Sequence, residues 1–323
     1  MAIARTWRGA PADGPYPALI DDIPALNNVF SDAFTERYRR DGLVGVRVPH
    51  LNPIVWRYAI EDAGAGALIW RDERDDIIAF NIVHRSGVEG WMGPLCVRPD
   101  KQGSGLGKEI VRSGVEWLIL KQSQTVGLET MPRTMDNIGF YSALGFVPGR
   151  LTITLTLEAS HGDKTPVLLS KVAPRERAGV IEECQTLVGT MLPGYDFTRE
   201  IVLTEQLELG DTLLLERDRR IVGYALCHTV PLVEGRAREE TRVLKLVLSN
   251  ESDLSAMAAA LADYARRAGT RRVAFRVQTE YAKAYRAMVA LGGRVRWTDL
   301  RMAVAGYEET RPATGVVWSN WEI

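Results

Sequence analysis

The amino-acid sequence predicts a mixed α/β protein made of two similar domains, and three observations carry that reading. The chain has 323 residues, more than one hydrophobic core usually serves, so two domains of roughly 150 residues are expected. Segments with strand-like alternation interleave with segments of helical spacing. Stretches of the two halves also match at a nearly constant offset. RDERDDIIAFNIVH, ending at His84, resembles RDRRIVGYALCH, ending at His228 (228 − 84 = 144), and Ala143-Leu144-Gly145 matches Ala290-Leu291-Gly292 (290 − 143 = 147). Recurrence of both motif and spacing indicates an internal duplication.

Taken in order, residues 23–40 and 54–63 have helical spacing, and residues 64–70 and 77–84 read as strands separated by the charged turn RDERDD. A strand through 91–97 leads into a glycine-rich turn. A helix over about 105–121 follows, in which Leu106, Ile110, Val111, Val115 and Leu118 recur at steps of three and four and form one buried face. A strand over 125–130 and a helix through Gly139 come next. Leu151, Ile153, Leu155 and Leu157 then alternate with Thr152, Thr154 and Thr156, a β-branched strand that closes the first domain. The polar run EASHGDKTP is a connector, which puts the domains at 1–162 and 163–323. In the second half Leu254, Met257, Ala258, Leu261 and Ala265 repeat the helix stripe, and the tail from Gly315 to the end, with Trp318 and Trp321, reads as a last strand or latch.

Composition narrows the class without naming a function. Forty basic residues against forty-one acidic ones leave a formal charge of -1, which offers no global field for nucleic acid or an anionic membrane. Cys96, Cys184 and Cys227 are odd in number, widely spaced and never in a C-x-x-C pair. Neither a disulfide framework nor a zinc site is indicated, and a reducing cytoplasm fits best. Residues 1–16 lack a charged leader followed by an apolar core, and no apolar stretch approaches the length of a membrane span.

The chemistry lies in the turn after the strand ending at Val97. RPDK and then Gln102-Gly103-Ser104-Gly105-Leu106-Gly107 lead directly into an amphipathic helix. The first N–H groups of a helix lack internal partners and its dipole favours negative charge there, so such a turn is built to hold a phosphate or pyrophosphate. Glycines at 103, 105 and 107 permit the close approach. A P-loop would need four residues between its glycines and a Lys-Ser/Thr pair, whereas three separate Gly103 from Gly107 and Lys108 precedes Glu109. The dinucleotide fingerprint G-x-G-x-x-G also fails on spacing.

The pattern that does fit is Q/R-x-x-G-x-G/A after a strand ending in Val-x-Pro, met by Val97-Arg98-Pro99 and Gln102 to Gly107. Here the sequence resembles the GNAT superfamily of acyl-CoA-dependent N-acyltransferases. Asn137-Ile138-Gly139-Phe140-Tyr141-Ser142-Ala143-Leu144-Gly145-Phe146 resembles that family's second motif, and the likeness spans about residues 21 to 157. The resemblance implies two domains of α/β (α+β) class, each a mixed, mostly antiparallel sheet flanked by helices. It implies acetyl-CoA, or another acyl-CoA, as co-substrate and no metal. Leu95, Cys96 and Val97 would pair through their backbone with the pantetheine arm, and the loop of Gln102, Gly103, Ser104, Gly105, Leu106, Gly107 and Lys108 would hold the pyrophosphate. Gly93-Pro94 would mark a bulge that opens a slot for the thioester. Tyr141 would be the general acid that protonates the departing thiolate, with Asn137 on the same helix face either holding a CoA amide or capping the helix. The base is not identifiable: Glu89 and Glu129 flank the slot and could act through water but read as structural or solvent-facing, His84 is a weaker candidate still, and Cys96 reads as a buried strand residue rather than a nucleophile.

The second half offers Val247-Leu248-Ser249-Asn250-Glu251-Ser252-Asp253-Leu254 in place of the loop, with two carboxylates where phosphates would sit, and Met288 in place of Tyr141. It reads as a degenerate repeat that packs against the first domain, completes the acceptor pocket or binds a different ligand. The expected activity is transfer of an acetyl group to a small-molecule amine by a soluble, cytoplasmic monomer or homodimer that engages neither nucleic acid nor membrane. The acceptor pocket is expected from loops such as residues 41–53. Non-catalytic acyl-CoA sensing, transfer of a longer acyl group, and transfer to oxygen remain as alternatives.

Overall fold

Local signals set the elements of the first half. The structure, a computed structural model, describes residues 12–162 and 165–321. Most of the amino-terminal segment read above as leaderless, two connector residues and the end of the tail lie outside them. After β1 (Asp13–Pro17) come α1 (Ile23–Arg40) and α2 (Pro53–Ala63). The Asn52 side chain accepts the Ile54 N–H at 3.2 Å to cap α2, and Pro53 fills its first turn. Gly64, at φ 55°, stops that helix. The strand expected over 64–70 is corrected here: Gly64–Gly66 form a 3-10 turn and β2 runs Ala67–Arg71. Gly66 lies so close to the Val83 carbonyl that a Cβ would sit 2.4 Å from it, and this packing holds the turn against its neighbour strand. Then follow β3 (Ile77–Ser86), β4 (Glu89–Val97), α3 (Leu106–Leu120), β5 (Thr125–Thr130), α4 (Met135–Ser142) and β6 (Phe146–Glu158).

The second half runs β7 (Val167–Leu168), α5 (Pro174–Met191), α6 (Thr198–Gln206), β8 (Gly210–Arg217), β9 (Arg220–His228), β10 (Glu240–Leu248), α7 (Leu254–Arg267), β11 (Arg272–Gln278), α8 (Ala282–Ala290), β12 (Arg294–Val304) and β13 (Val316–Ser319). The order of elements from β3 to β6 recurs from β9 to β12. The helix stripes bury as their spacing requires: Leu106, Ile110, Val111 and Leu118 of α3 join one core with Met92 and Val126, while Leu254, Met257, Ala258, Leu261 and Ala265 of α7 join another with Val273 and Phe275.

All the strands form one sheet, ordered β1-β2-β3-β4-β5-β12-β6-β11-β10-β9-β8-β7, with β13 against β10. Among the described residues only β4–β5 and β10–β11 are parallel pairs, so the sheet is mixed and mostly antiparallel. Its centre is an exchange: β12, from the second half, lies between β5 and β6, and β6 lies between β12 and β11. Arg294 faces Thr156 and Val304 faces Phe146 across the pair. Each half therefore completes its sheet with the other half's last long strand.

A part-buried polar network crosses this seam. The Arg276 guanidinium bonds Glu129 and donates to Asp299 Oδ2 at 3.1 Å, Arg301 Nε lies 3.1 Å from Glu129 Oε1, and Thr152 Oγ1 donates to the same oxygen at 2.6 Å. Glu129 and Arg276 are equivalent positions of the duplication (276 − 129 = 147), as are Thr152 and Asp299 (299 − 152 = 147).

Candidate active site

The cleft begins where β4 and β5 part. Their parallel pairing runs from Glu89–Thr125 to Met92–Leu128 and stops there. On the other side of β4, the register against β3 jumps from Val83–Met92 to Asn81–Leu95, leaving Gly93 and Pro94 as a two-residue bulge. Beyond it Leu95, Cys96 and Val97 stay paired to β3, while β5 no longer follows β4. They line a cavity of about 500 Å³ together with Gln102, Gly107, Asn137 and Tyr141.

The glycine loop sits at the mouth of this cavity, at the start of the fifteen-residue α3. Gly103 (φ 80°) and Gly105 (φ 96°) adopt the left-handed region, and a Cβ at either would meet nothing within 4 Å. Glycine is therefore required there by backbone conformation, with open space above the loop. Gln102 Nε2 donates to the Val97 carbonyl at 3.0 Å and Ser104 Oγ to the Lys101 carbonyl at 2.7 Å, so both side chains brace the loop. Leu106 turns its side chain into the core beneath, and Lys108 is exposed on the first turn of α3. Gly103, Ser104, Gly105, Leu106 and Lys108 are thus on the loop and helix start rather than in the cavity wall.

Tyr141 lies in the cavity wall opposite β4, 7% exposed, and burial with Cys96 close by raises its phenol further above its ordinary value. It is a neutral O–H donor throughout the physiological range. Asn137 is the third residue of α4, not its cap, and its Nδ2 donates to Thr130 Oγ1 at 3.4 Å. Burial pushes the Cys96 thiol well up as well, which keeps it from acting as a thiolate. Glu89 is fully buried beneath Trp91 Nε1 at 3.0 Å and Ser319 Oγ at 2.6 Å, a structural acceptor outside the cavity lining. Glu129 does line it. Burial alone would raise the Glu129 carboxyl, but the Arg276 and Arg301 guanidiniums and the Thr152 hydroxyl outweigh that and hold it below the usual range.

The far end of the cavity was not legible in the sequence. The segment 41–53, expected to supply it, contributes no lining residue; Phe34, Arg37 and Tyr38 of α1 and Arg276, Trp297 and Asp299 of the second half do. No pattern in the sequence marks Trp297 and Asp299, because β12 reaches the first half only through the strand exchange.

The equivalent slot in the second half is filled. β10 and β11 pair from Glu240–Arg272 to Val243–Phe275 and then part, and β13 pairs antiparallel with the freed edge: Leu246 with Trp318, Val247 with Val317, Leu248 with Val316. By register these are the counterparts of Leu95, Cys96 and Val97. At the start of α7, Asp253 Oδ1 lies 2.5 Å from Arg217 Nη2, an internal ion pair where a phosphate cradle would be. Met288, in the position of Tyr141, is buried core.

Residues 25–146 match the family model described as acetyltransferase (GNAT) family. No curated protein matches the sequence. Among solved structures, a Pyrococcus horikoshii protein described as a candidate acetyltransferase is 16% identical, with a TM-score of 0.65 over 98% of this chain and 97% of its own. A tandem GNAT protein from the clavulanic acid biosynthesis pathway is 12% identical, with a TM-score of 0.58 over 91% and 99%. The N-myristoyltransferase of Saccharomyces cerevisiae, solved with myristoyl-CoA, is 12% identical, with a TM-score of 0.59 over 94% and 86%. At these identities the likeness is one of fold. Residues 25–146 thus match the GNAT family in sequence, and the whole chain has the tandem-GNAT fold with a degenerate second repeat.

Proposed function

We propose that the protein is an acyl-CoA-dependent N-acyltransferase that moves an acetyl group from acetyl-CoA to a small-molecule amine, with one cofactor site per chain, in residues 1–162. The observation that carries the reading is the edge of Leu95, Cys96 and Val97, left without a neighbour strand among the described residues, since the same edge in the second half is occupied by β13. An amide-bearing pantetheine arm is the chemical equivalent of that strand. The pyrophosphate would rest on the N–H groups of the loop from Gln102 to Lys108, where the glycine conformations and the open space above them fit an anion. Asn137 and Tyr141 close the cavity from the opposite side.

In this reading the amine, held neutral, attacks the thioester carbonyl; the C–N bond forms and the C–S bond breaks. Negative charge on the carbonyl oxygen is met by a backbone N–H of β4, and Tyr141 donates its proton to the leaving thiolate. The second half supplies the far wall of the pocket rather than a second active site. Three free thiols, Cys96, Cys184 and Cys227, suit a cytoplasmic setting, and among the described residues no helix is long and apolar enough to cross a membrane.

Thiol release from acetyl-CoA, screened across amines, amino acids, polyamines and aminoglycosides, tests the reading. Turnover with at least one amine is expected. Binding of acetyl-CoA without thiol release from any acceptor would leave a sensor, and absence of binding would remove the site.

A further inference from the structure

Two carboxylates line the far end of the cavity, and their surroundings differ. Glu129 is held between two guanidiniums: Arg276 and Thr152 hydrogen-bond it, and Arg301 Nε lies 3.1 Å from its Oε1. Asp299 is 9% exposed, accepts the Trp297 indole N–H on Oδ1 at 3.0 Å, and takes one Arg276 contact on Oδ2 at 3.1 Å. Each Asp299 oxygen keeps an unused lone pair beside the cavity it lines.

The charged and titratable groups acting on Asp299 are Arg276 on β11, Glu129 on β5 and Tyr38 on α1; beyond them Arg301 on β12 reaches Glu129, and the Arg133 guanidinium lies 5.7 Å over the Trp297 ring. Burial, aided by the nearby Glu129 charge, raises the Asp299 carboxyl above its ordinary value even against Arg276. Of the two acids, Glu129 is a counter-ion held below its ordinary range, and Asp299 is the one whose carboxyl is raised.

We infer that Asp299, carried into the first half's cavity by the exchanged strand β12, accepts the proton of the acceptor's ammonium group. The inference rests on the acetyl-transfer reading above and names the catalytic base for it. The ammonium arrives as R–NH3+ and passes one proton to an Asp299 oxygen. The free amine forms its bond to the thioester carbon as the C–S bond breaks, the thiolate takes the Tyr141 proton, and the nitrogen's second proton restores Tyr141. Asp299 then returns its proton to solvent, so the products are the amide, CoA thiol and one proton. The acceptor class that follows is a primary amine cationic at neutral pH. The second half thereby has a chemical role although its own cofactor slot is closed.

The test is kcat/KM against pH, from about pH 5.5 to about pH 9.5, for the full chain with the best acceptor from the thiol-release screen. With a base, the wild-type profile is level between the Asp299 carboxyl pKa and the amine pKa. Without one, it climbs tenfold per pH unit up to the amine pKa, following the neutral fraction. Asp299→Asn is expected to keep acetyl-CoA affinity within about twofold, lose roughly 10²–10⁴ in kcat/KM near neutral pH, and convert the level profile to the climbing one; Asp299→Glu restores part of the loss. A wild-type profile that climbs throughout overturns the inference even if Asp299→Asn fails to fold. So does an Asp299→Asn variant whose activity is unchanged or reduced equally at every pH. Absence of thiol release by the wild type with any amine would instead sink the underlying acetyl-transfer reading, and this inference with it.

Discussion

Replacing Gly105 by glutamate separates what the loop does for folding from what it does for binding. Gly105 caps α3 at φ 96° and ψ -12°, and a Cβ there meets nothing within 4 Å. The structural cost is therefore backbone strain alone, about 1–2 kcal/mol for a residue with a side chain in the left-handed region, or a fall in melting temperature of about 2–4 °C per kcal/mol. The binding cost is electrostatic. A carboxylate about 4 Å from a phosphate charge costs about 1 kcal/mol in water and about 4 kcal/mol at the effective dielectric of a protein surface. Acetyl-CoA affinity is expected to fall between roughly fivefold and a thousandfold, and the glutamate stem crowding the cradle adds to that. Gly105→Ala is the control, because it carries the same strain without the charge and should melt like the glutamate variant while retaining most affinity. Calorimetric titration with acetyl-CoA and thermal melts of the three proteins read both quantities. Wild-type affinity in Gly105→Glu would refute the assignment of the loop as the pyrophosphate site.

Tyr141→Phe removes one buried hydroxyl from the cavity wall and should leave acetyl-CoA affinity within about twofold while lowering kcat by roughly 10²–10⁴; equal turnover would remove the acid role alone. Trp318→Ala empties a side chain 1% exposed in the strand that closes the second slot, and should cost about 3–5 kcal/mol in urea unfolding without altering acetyl-CoA affinity. A loss under about 1 kcal/mol would show that the tail is not core. Burial pushes the Glu200 carboxyl up to about 7, against the pull of Lys245 Nζ 3.6 Å away. A carboxyl raised above its ordinary value favours the folded state most at low pH, so this contribution is fully present below the ordinary carboxylate range and is lost as pH rises through about 7. Glu200→Gln should flatten that slope in a pH series of urea midpoints, and an unchanged slope would remove the assignment.

Short-range chemistry was legible in the sequence. The stripe of Leu106, Ile110, Val111 and Leu118 identified α3 because helical spacing puts those residues on one face, whatever lies opposite. Gly103 and Gly105 marked the loop because a left-handed backbone selects glycine locally, and the Gly93-Pro94 bulge lay within a single strand. Duplication likewise showed in spacing alone. Pairings between distant strands were not legible, since β propensity records a half-buried pleated surface and carries no address for its partner. Nothing in the alternation of Leu151 to Leu157 indicates that β6 pairs with β11 and β12 of the other half. Only tertiary structure brought Arg276 to Glu129 and Asp299 into the first half's cavity, and only it turned the carboxyl-terminal segment into the strand that fills the second slot. The sequence by itself determined the elements, the repeat and the anion-shaped loop, because each depends on neighbours a few residues away. Which half completes the acceptor end and which slot stays open depended on contacts more than a hundred residues apart in the chain, such as the Arg276–Glu129 bond with its separation of 147.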